Sequence, residues 1–534
     1  MKKLLVIGFL IFNIIALSCN KIFSSPPGNI ENNLEIEIVV KDIPLLLELE
    51  NNEIISFTVH NKPEQTQKIT GVSIKFSDSD IDKILETLRL VEVNKINSEE
   101  FKTEIGRTSN IRQTTKIVGE YPLDKNDQQF ILSFTGYKNA NLNSSIRIEE
   151  IEFRIDNQSV QTIDIPNNKV IRLGRALRQG GQDNCNTYRI PGLATTNKGT
   201  LIAVYDNRYD NGKDLQNNIN IGMSRSTNGG QSWEPMKVIM DMDSWGGYGE
   251  DGNGVGDPSI LVDKNTRTIW VAALWAHGYV GKTAWGSSGP GLEPTETGQL
   301  LLVKSEDDGV TWSDPVNITK QVKKPEWRLF LQGPGKGITL SNGTLVFPAQ
   351  FKDENNIPHS TLIYSTDHGE NWHVGTGVRA KTTEAQLVEL KNGKIMINCR
   401  NDEARDNKGV GRVVATTNDL GMSWEIHPSS IVALEEPTCM ASLIYESFNE
   451  YGDILLFSNP NDYSKRFNIT IKASKDEAMT WPEKYWLLIN ENRSAGYSCM
   501  TKVDDKHIGI LYEGGNLAHL IFQKIPIKDI LEQK

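Results

Sequence analysis

The stretch STDHGENW, Ser365 to Trp372, decides the fold because it does not stand alone. The same pattern, Ser/Thr-x-Asp-x-Gly-x-Thr/Ser-Trp, returns as STNGGQSW at 226–233, SEDDGVTW at 305–312 and TNDLGMSW at 417–424. A fifth copy, SKDEAMTW at 474–481, carries Ala478 in place of glycine. The first copy has Asn228 for aspartate, and the Ser365 copy has Asn371 at the Thr/Ser position. An Asp or Asn side chain at this place bonds the backbone N–H groups of a tight turn. The glycine supplies positive φ, and the tryptophan packs the turn onto its sheet. The tryptophans, at 233, 312, 372, 424 and 481, recur at intervals that suit one β-propeller blade each.

Outward from the repeat, the chain divides. All eleven tryptophans lie from Trp233 onward. Residues 25–165 hold none and read as short strands between polar turns, among them LEIEIVV, IISFTVHN, ITGVSIKFS, QQFILSFTGY and IRIEEIEFRI. Ile151, Phe153 and Ile155 alternate with polar residues, as a half-buried strand requires. The expectation is all-β: a β-sandwich over 25–165, then a six-bladed β-propeller over 175–530. DSDIDKILETLRLVEV is read as holding a helical turn or two, and DIPNNKVIRLGRALRQGG as the linker.

The first 19 residues, MKKLLVIGFLIFNIIALSC, pair two lysines with an apolar run and small residues before Cys19. This is the pattern of a signal peptide, and the run is short of the ~20 residues of a membrane span. ALSC is similar to a bacterial lipobox, with Ala16 where leucine is commonest. Export with a lipid anchor at Cys19 is the expectation, to the periplasmic side or the cell surface. Net charge −11 argues against nucleic acid as a partner. Cys185, Cys399, Cys439 and Cys499 lack metal-ligand spacing and are expected as small buried thiols. His277 and His368 are read as structural, no carboxylate cage for calcium is apparent, and neither a metal nor a cofactor is expected.

One heptad is chemically pointed. In TYRIPGL, 187–193, Arg189 precedes an Ile-Pro pair that holds the chain extended. YRIP ahead of repeated Asp-box turns resembles the bacterial exo-α-sialidases of glycoside hydrolase family 33, over about residues 175 to 525. The resemblance implies a propeller that removes terminal sialic acid from glycans with retention, through a tyrosine nucleophile in place of the usual carboxylate. Carried over residue by residue, Arg189, Arg400 (in MINCRND) and Arg466 (in SNPNDYSKRFNITI) match the family's arginine triad. Arg493 and Lys465 are rivals for the third place. Three guanidiniums suit the sialic acid carboxylate because each offers paired, charge-assisted donors.

Tyr497, in SAGYSCM, matches the nucleophile, and Glu384, in KTTEAQLVEL, its base. A phenol with a pKa near 10 needs such a base at neutral pH. Asp214, in the polar loop after Arg189, matches the acid/base, with Asp206 and Asp210 as decoys. Arg208 and Asp257 match contacts to the 4-hydroxyl. Trp275 is assigned to the wall of the N-acetyl pocket and Gln332 to a turn beside it, with DSWGGYGEDGNGVGD as a rim. The partners implied are sialylated glycoproteins, glycolipids and oligosaccharides. A trans-sialidase or an anhydro-product enzyme would keep the same residues, and a propeller lectin would keep the arginines without needing Tyr497 and Glu384.

Overall fold

The computed structural model describes residues 22–24, 34–60, 67–96, 99–156, 159–166, 169–279, 281–405 and 410–532. The leader and Cys19 lie outside the described residues. The front region is two antiparallel sheets, one of six strands and one of four. They meet face to face through Phe57 and Phe153, whose rings are 4.8 Å apart, and through Phe76 and Phe134. The helical expectation reduces to one 3₁₀ turn, Ile81–Lys83, after which Leu85–Ile96 is a strand.

Six sheets then follow, five of four or five strands and one of six. Their inner strands touch in cyclic order, beginning with Thr187–Thr195, Val255–Val262 and the short strands around Gly335–Thr339. The cycle continues through Thr382–Glu389, Ser442–Phe448 and Ser498–Asp504, which returns to Thr187–Thr195. The strands Leu201–Arg208, Ile269–Trp275 and Leu345–Lys352, each second in its blade, are buried throughout, since both faces lie against neighbours.

The repeated octapeptides make the turns the sequence predicts. In the Ser305 copy, Asp307 accepts from the Thr311 N–H at 2.8 Å, and Gly309, at φ +83°, donates to the Ser305 hydroxyl at 2.9 Å. The Asp307, Asp367 and Asp419 carboxyls are each held down to about 2, chiefly by a side-chain hydrogen bond from within the turn. Ala478 stands at φ +71° in the decayed copy, forced into glycine's conformation.

One expectation is corrected. Residues Ile171–Arg178, read as linker, are a strand paired antiparallel with Leu520–Pro526, the last strand of the chain. The ring is thereby closed by pairing residues at opposite ends of the propeller. The front region is tied into the same sheet: Leu45 and Leu46 pair with Leu173 and Gly174, and Ser145–Ile146 pairs with Ile171–Arg172. Glu48 adds a 2.9 Å bond to Arg175 and a 2.7 Å bond to the Ala176 N–H.

Candidate active site

Three inner strands bulge where they reach the axial cavity. Arg189 pairs with Asp206 and Gly192 with Val204, so Ile190 and Pro191 oppose Tyr205 alone. Asp257 and Pro258 likewise oppose Ala273, and Thr383 and Glu384 oppose Arg400. An extra residue bends the strand and re-aims the side chains beside it. Ile190 sits at φ +59° and Asp257 at φ +60°, conformations that cost roughly 1–3 kcal/mol for a non-glycine residue. The Pro in RIPG and GDPS removes a ladder donor at the same point, so the sequence itself writes the bulge.

Glu513 holds the first bulge in place. This buried carboxylate accepts from Arg189 Nε at 2.9 Å, from the Ile190 N–H at 3.2 Å and from the Tyr497 N–H at 2.9 Å. It therefore fixes an arginine and the tyrosine relative to one another. Gly496, at φ +93°, precedes Tyr497, and a Cβ there would stand 2.8 Å from Cys439 Sγ. The small residues of SAGYSC are needed for that approach.

The Tyr497 hydroxyl donates to Glu384, and Arg400 bridges both, with one nitrogen 2.6 Å from Glu384 and 3.2 Å from the Tyr497 oxygen. Arg189 and Arg466 flank the ring of Tyr497, at 5.2 and 5.7 Å from its centre. Arg466 is fixed by the carbonyls of Ala495 (2.8 Å) and Thr438 (2.7 Å). The triad thus converges on one tyrosine. Burial, and next the negative charge of Glu384, push the Tyr497 phenol well above its ordinary value. Burial works against the charge on Arg400, yet Glu384 and Tyr497 keep it firmly protonated.

Asp214 reaches in from its loop, 69% exposed, to Arg208 at 2.8 Å and Arg189 at 3.5 Å. Burial of its surroundings would raise its carboxyl, but the two arginines outweigh this and hold it below the usual range. Asp206 is buried, bonds Arg208 at 2.8 Å and accepts from the Asp257 N–H at 2.8 Å. It is structural, and Asp210 is exposed outside the cavity. Burial, with Asp206 and Asp214 nearby, pushes Asp257 well upward, favouring its neutral form.

The cavity, of about 350 Å³, joins Asp214, Asp257, Glu384, Arg400 and Tyr497 to an apolar wall of Leu215, Leu274, Trp285, Leu329 and Leu331. Trp275 is not on that wall. Adjacent strand residues face opposite ways, so Leu274 turns to the cavity and Trp275 into the core against Trp245. Gln332 is buried behind the cavity, donating to the Asp257 carbonyl. Of the three candidates for the third arginine, Arg466 is the one whose guanidinium stands over the Tyr497 ring. His277 lies in an aromatic cluster with Trp245 and Tyr248, and His368 bonds Asp263 at 2.7 Å. The four cysteines described are buried and form no disulfide.

Sequence reasoning missed Glu513, Gln350, Asp402 and Trp285. Glu513 ends a strand in LYEGG, and its only signal is a carboxylate at a fully buried strand end. Gln350 and Asp402 line the cavity with a side-chain oxygen that has no hydrogen-bond partner among the described residues.

Fold and site together define an Asp-box β-propeller with an axial cavity built from arginines and a carboxylate-coupled tyrosine. Residues 199–512 match the family model described as a BNR repeat-like domain. A sialidase of Bacteroides fragilis is 50% identical over 364 residues, 68% of this chain and 66% of that protein. A sialidase of Micromonospora viridifaciens is 32% identical over 64% of this chain and 52% of its own length. The chain therefore spans between about half and two thirds of these relatives. The solved structure of a Hadza microbial sialidase is 40% identical, with a TM-score of 0.85 over 92% of this chain and 99% of that one. The chain belongs to the sialidase family.

Proposed function

We propose that the protein hydrolyses terminal α-linked sialic acids from glycoconjugates with retention, through a covalent tyrosyl intermediate. The observation that carries this is the hydrogen bond from the Tyr497 hydroxyl to Glu384, set between three converging arginines. The anomeric carbon of a sialoside carries a carboxylate. Arg189, Arg400 and Arg466 receive it, and their positions are fixed in advance by Glu513, Glu384 and backbone carbonyls.

A carboxylate nucleophile would meet that anionic centre with repulsion, whereas a neutral phenol does not. As Tyr497 oxygen bonds to the anomeric carbon, its proton passes to Glu384 Oε1. The glycosidic oxygen leaves with the proton of Asp214. Water, deprotonated by Asp214, then displaces the tyrosine, and Glu384 returns the proton. The substrate carboxylate, on reaching Arg189, competes with Asp214 for that cation and so raises the acidity range in which Asp214 holds its proton. Asp257, on the cavity wall, is available to a ring hydroxyl, with Arg208 behind it holding Asp206 and Asp214, and the leucine wall suits an acetamido methyl.

Following an aryl α-sialoside by NMR tests the reading. The α-anomer of free sialic acid should appear first and mutarotate afterwards. The β-anomer appearing first would rule out the double displacement. We further propose that the leader directs export and that Cys19 carries a lipid anchor, on the sequence pattern alone. Metabolic labelling with a fatty acid, lost in Cys19→Ala, would support it.

A further inference from the structure

Arg412 and Glu436 form an ion pair, 2.7 Å apart, in which neither side chain reaches solvent. Taking two charges out of water is costly, and apolar residues of similar volume would often fill such a space at equal or better stability. What the pair makes that apolar residues cannot is a set of directed hydrogen bonds. These converge on two segments beside the catalytic cavity.

One segment is the strand that carries Arg400. Glu436 accepts from the Asn401 N–H at 3.3 Å, and Arg412 donates to the side-chain oxygen of Asn398. The strand is gripped on either side of the arginine. Glu384 holds the Arg400 guanidinium itself, while the pair holds the backbone from which it projects. The other segment is the turn at 436–440. Cys439 is held there by both of its backbone groups. Its N–H donates to Glu436 at 2.8 Å, and its carbonyl accepts from Arg412 at 2.7 Å. Thr438, the residue before, stands at φ +56°, and its carbonyl accepts from Arg466 at 2.7 Å. Cys439 itself is buried in one cluster with Ile190 and Tyr497. A shift of this turn would therefore be felt at Arg466 and Tyr497 together.

We propose that Arg412 and Glu436 are positioning residues, which fix the Arg400 and Arg466 guanidiniums relative to one another and so fit the site to a carboxylate. Buried as they are, neither touches a substrate. Glu513 does the same for Arg189. The proposal rests on the sialidase reading and adds the residues that hold two of its three arginines.

Calorimetric titration of the full protein with the unsaturated glycal of sialic acid, and separately with its methyl ester, tests it. The ester keeps the ring and loses the anion, so the acid should bind the wild type far more tightly. The double variant Glu436→Leu with Arg412→Met removes both charges and leaves no unpaired ion. In it the acid-to-ester affinity ratio should fall at least about tenfold, with the ester's own affinity little changed, and kcat/KM for an aryl α-sialoside should fall as well. A role in stability alone would lower the folded fraction and leave the ratio of the folded protein as it was. A wild-type ratio in the folded double variant would thus overturn the proposal. Should that variant fail to fold, Glu436→Asp, which keeps the charge and shortens the arm by one methylene, should lower the ratio, and an unchanged ratio there would overturn it. A wild type that binds acid and ester alike would overturn the sialidase reading, and this proposal with it.

Discussion

Glu513→Gln isolates the scaffold of the site from its chemistry, because Glu513 touches no reacting atom. Its two oxygens take three N–H donors: Arg189 Nε and the Ile190 N–H on one, the Tyr497 N–H on the other. The amide replaces one oxygen with a donor. In either orientation a buried N–H then faces another N–H. An unsatisfied buried donor costs about 1–3 kcal/mol, and removing one partner of a buried ion pair about 3–5 kcal/mol. The two overlap here, so the total is about 3–5 kcal/mol. In urea the unfolding midpoint should fall with the slope unchanged. If about 3 kcal/mol of that also appears in the transition state, through a misplaced Arg189, kcat/KM falls by about 100-fold at 1.36 kcal/mol per decade. A double-mutant cycle with Arg189→Ala should show a coupling of about 1 kcal/mol or more. A variant with wild-type midpoint and wild-type kcat/KM would refute the reasoning.

Asp214→Ala should lose far more activity on a sialyl-sugar, whose alkoxide leaves poorly, than on an aryl sialoside. Equal losses on both, measured as kcat/KM, would remove Asp214 as the acid. Because its arginine partners hold Asp214 below the usual carboxylate range, wild-type kcat/KM should rise as pH falls toward that range. The Asp-box carboxyls near 2 lie below the ~3.9 of an unfolded aspartate, so their stabilisation is present above pH ~4 and fades as pH falls through about 2. Asp367→Asn should flatten that part of the stability profile while folding normally, as Asn228 does in the first turn. Gly369→Ala should destabilise by about 2–4 kcal/mol in urea, since φ is +93° and a Cβ would meet Trp270 at 2.4 Å. Ala478→Gly, where the methyl already fits, should come out within about 1 kcal/mol of neutral.

The blades were legible because the Asp-box turn is local chemistry, complete within eight residues and repeated. The bulges were not read from the sequence: Pro191 argues for extended backbone at Ile190, whereas Ile190 stands at φ +59° in a bulge that the Glu513 carboxylate holds from a distant strand. Ring closure was not legible. Arg175 pairs with Phe522, and no local pattern reports a partner so far along the chain. Trp275 shows a finer limit. A strand's period of two places neighbours on opposite faces, and composition alone does not say which face of ALW meets the cavity. Glu513 was missed because its role is to position others, and a carboxylate at a strand end has no signature until Arg189, Ile190 and Tyr497 are seen around it.

The central claim is that Tyr497 is the nucleophile of a hydrolase, and Tyr497→Phe tests it most directly. The change removes one oxygen and leaves the ring between Arg189 and Arg466. Turnover of an aryl α-sialoside should fall by several orders of magnitude, with binding of a sialic acid analogue retained. Turnover that survives the substitution would contradict the account.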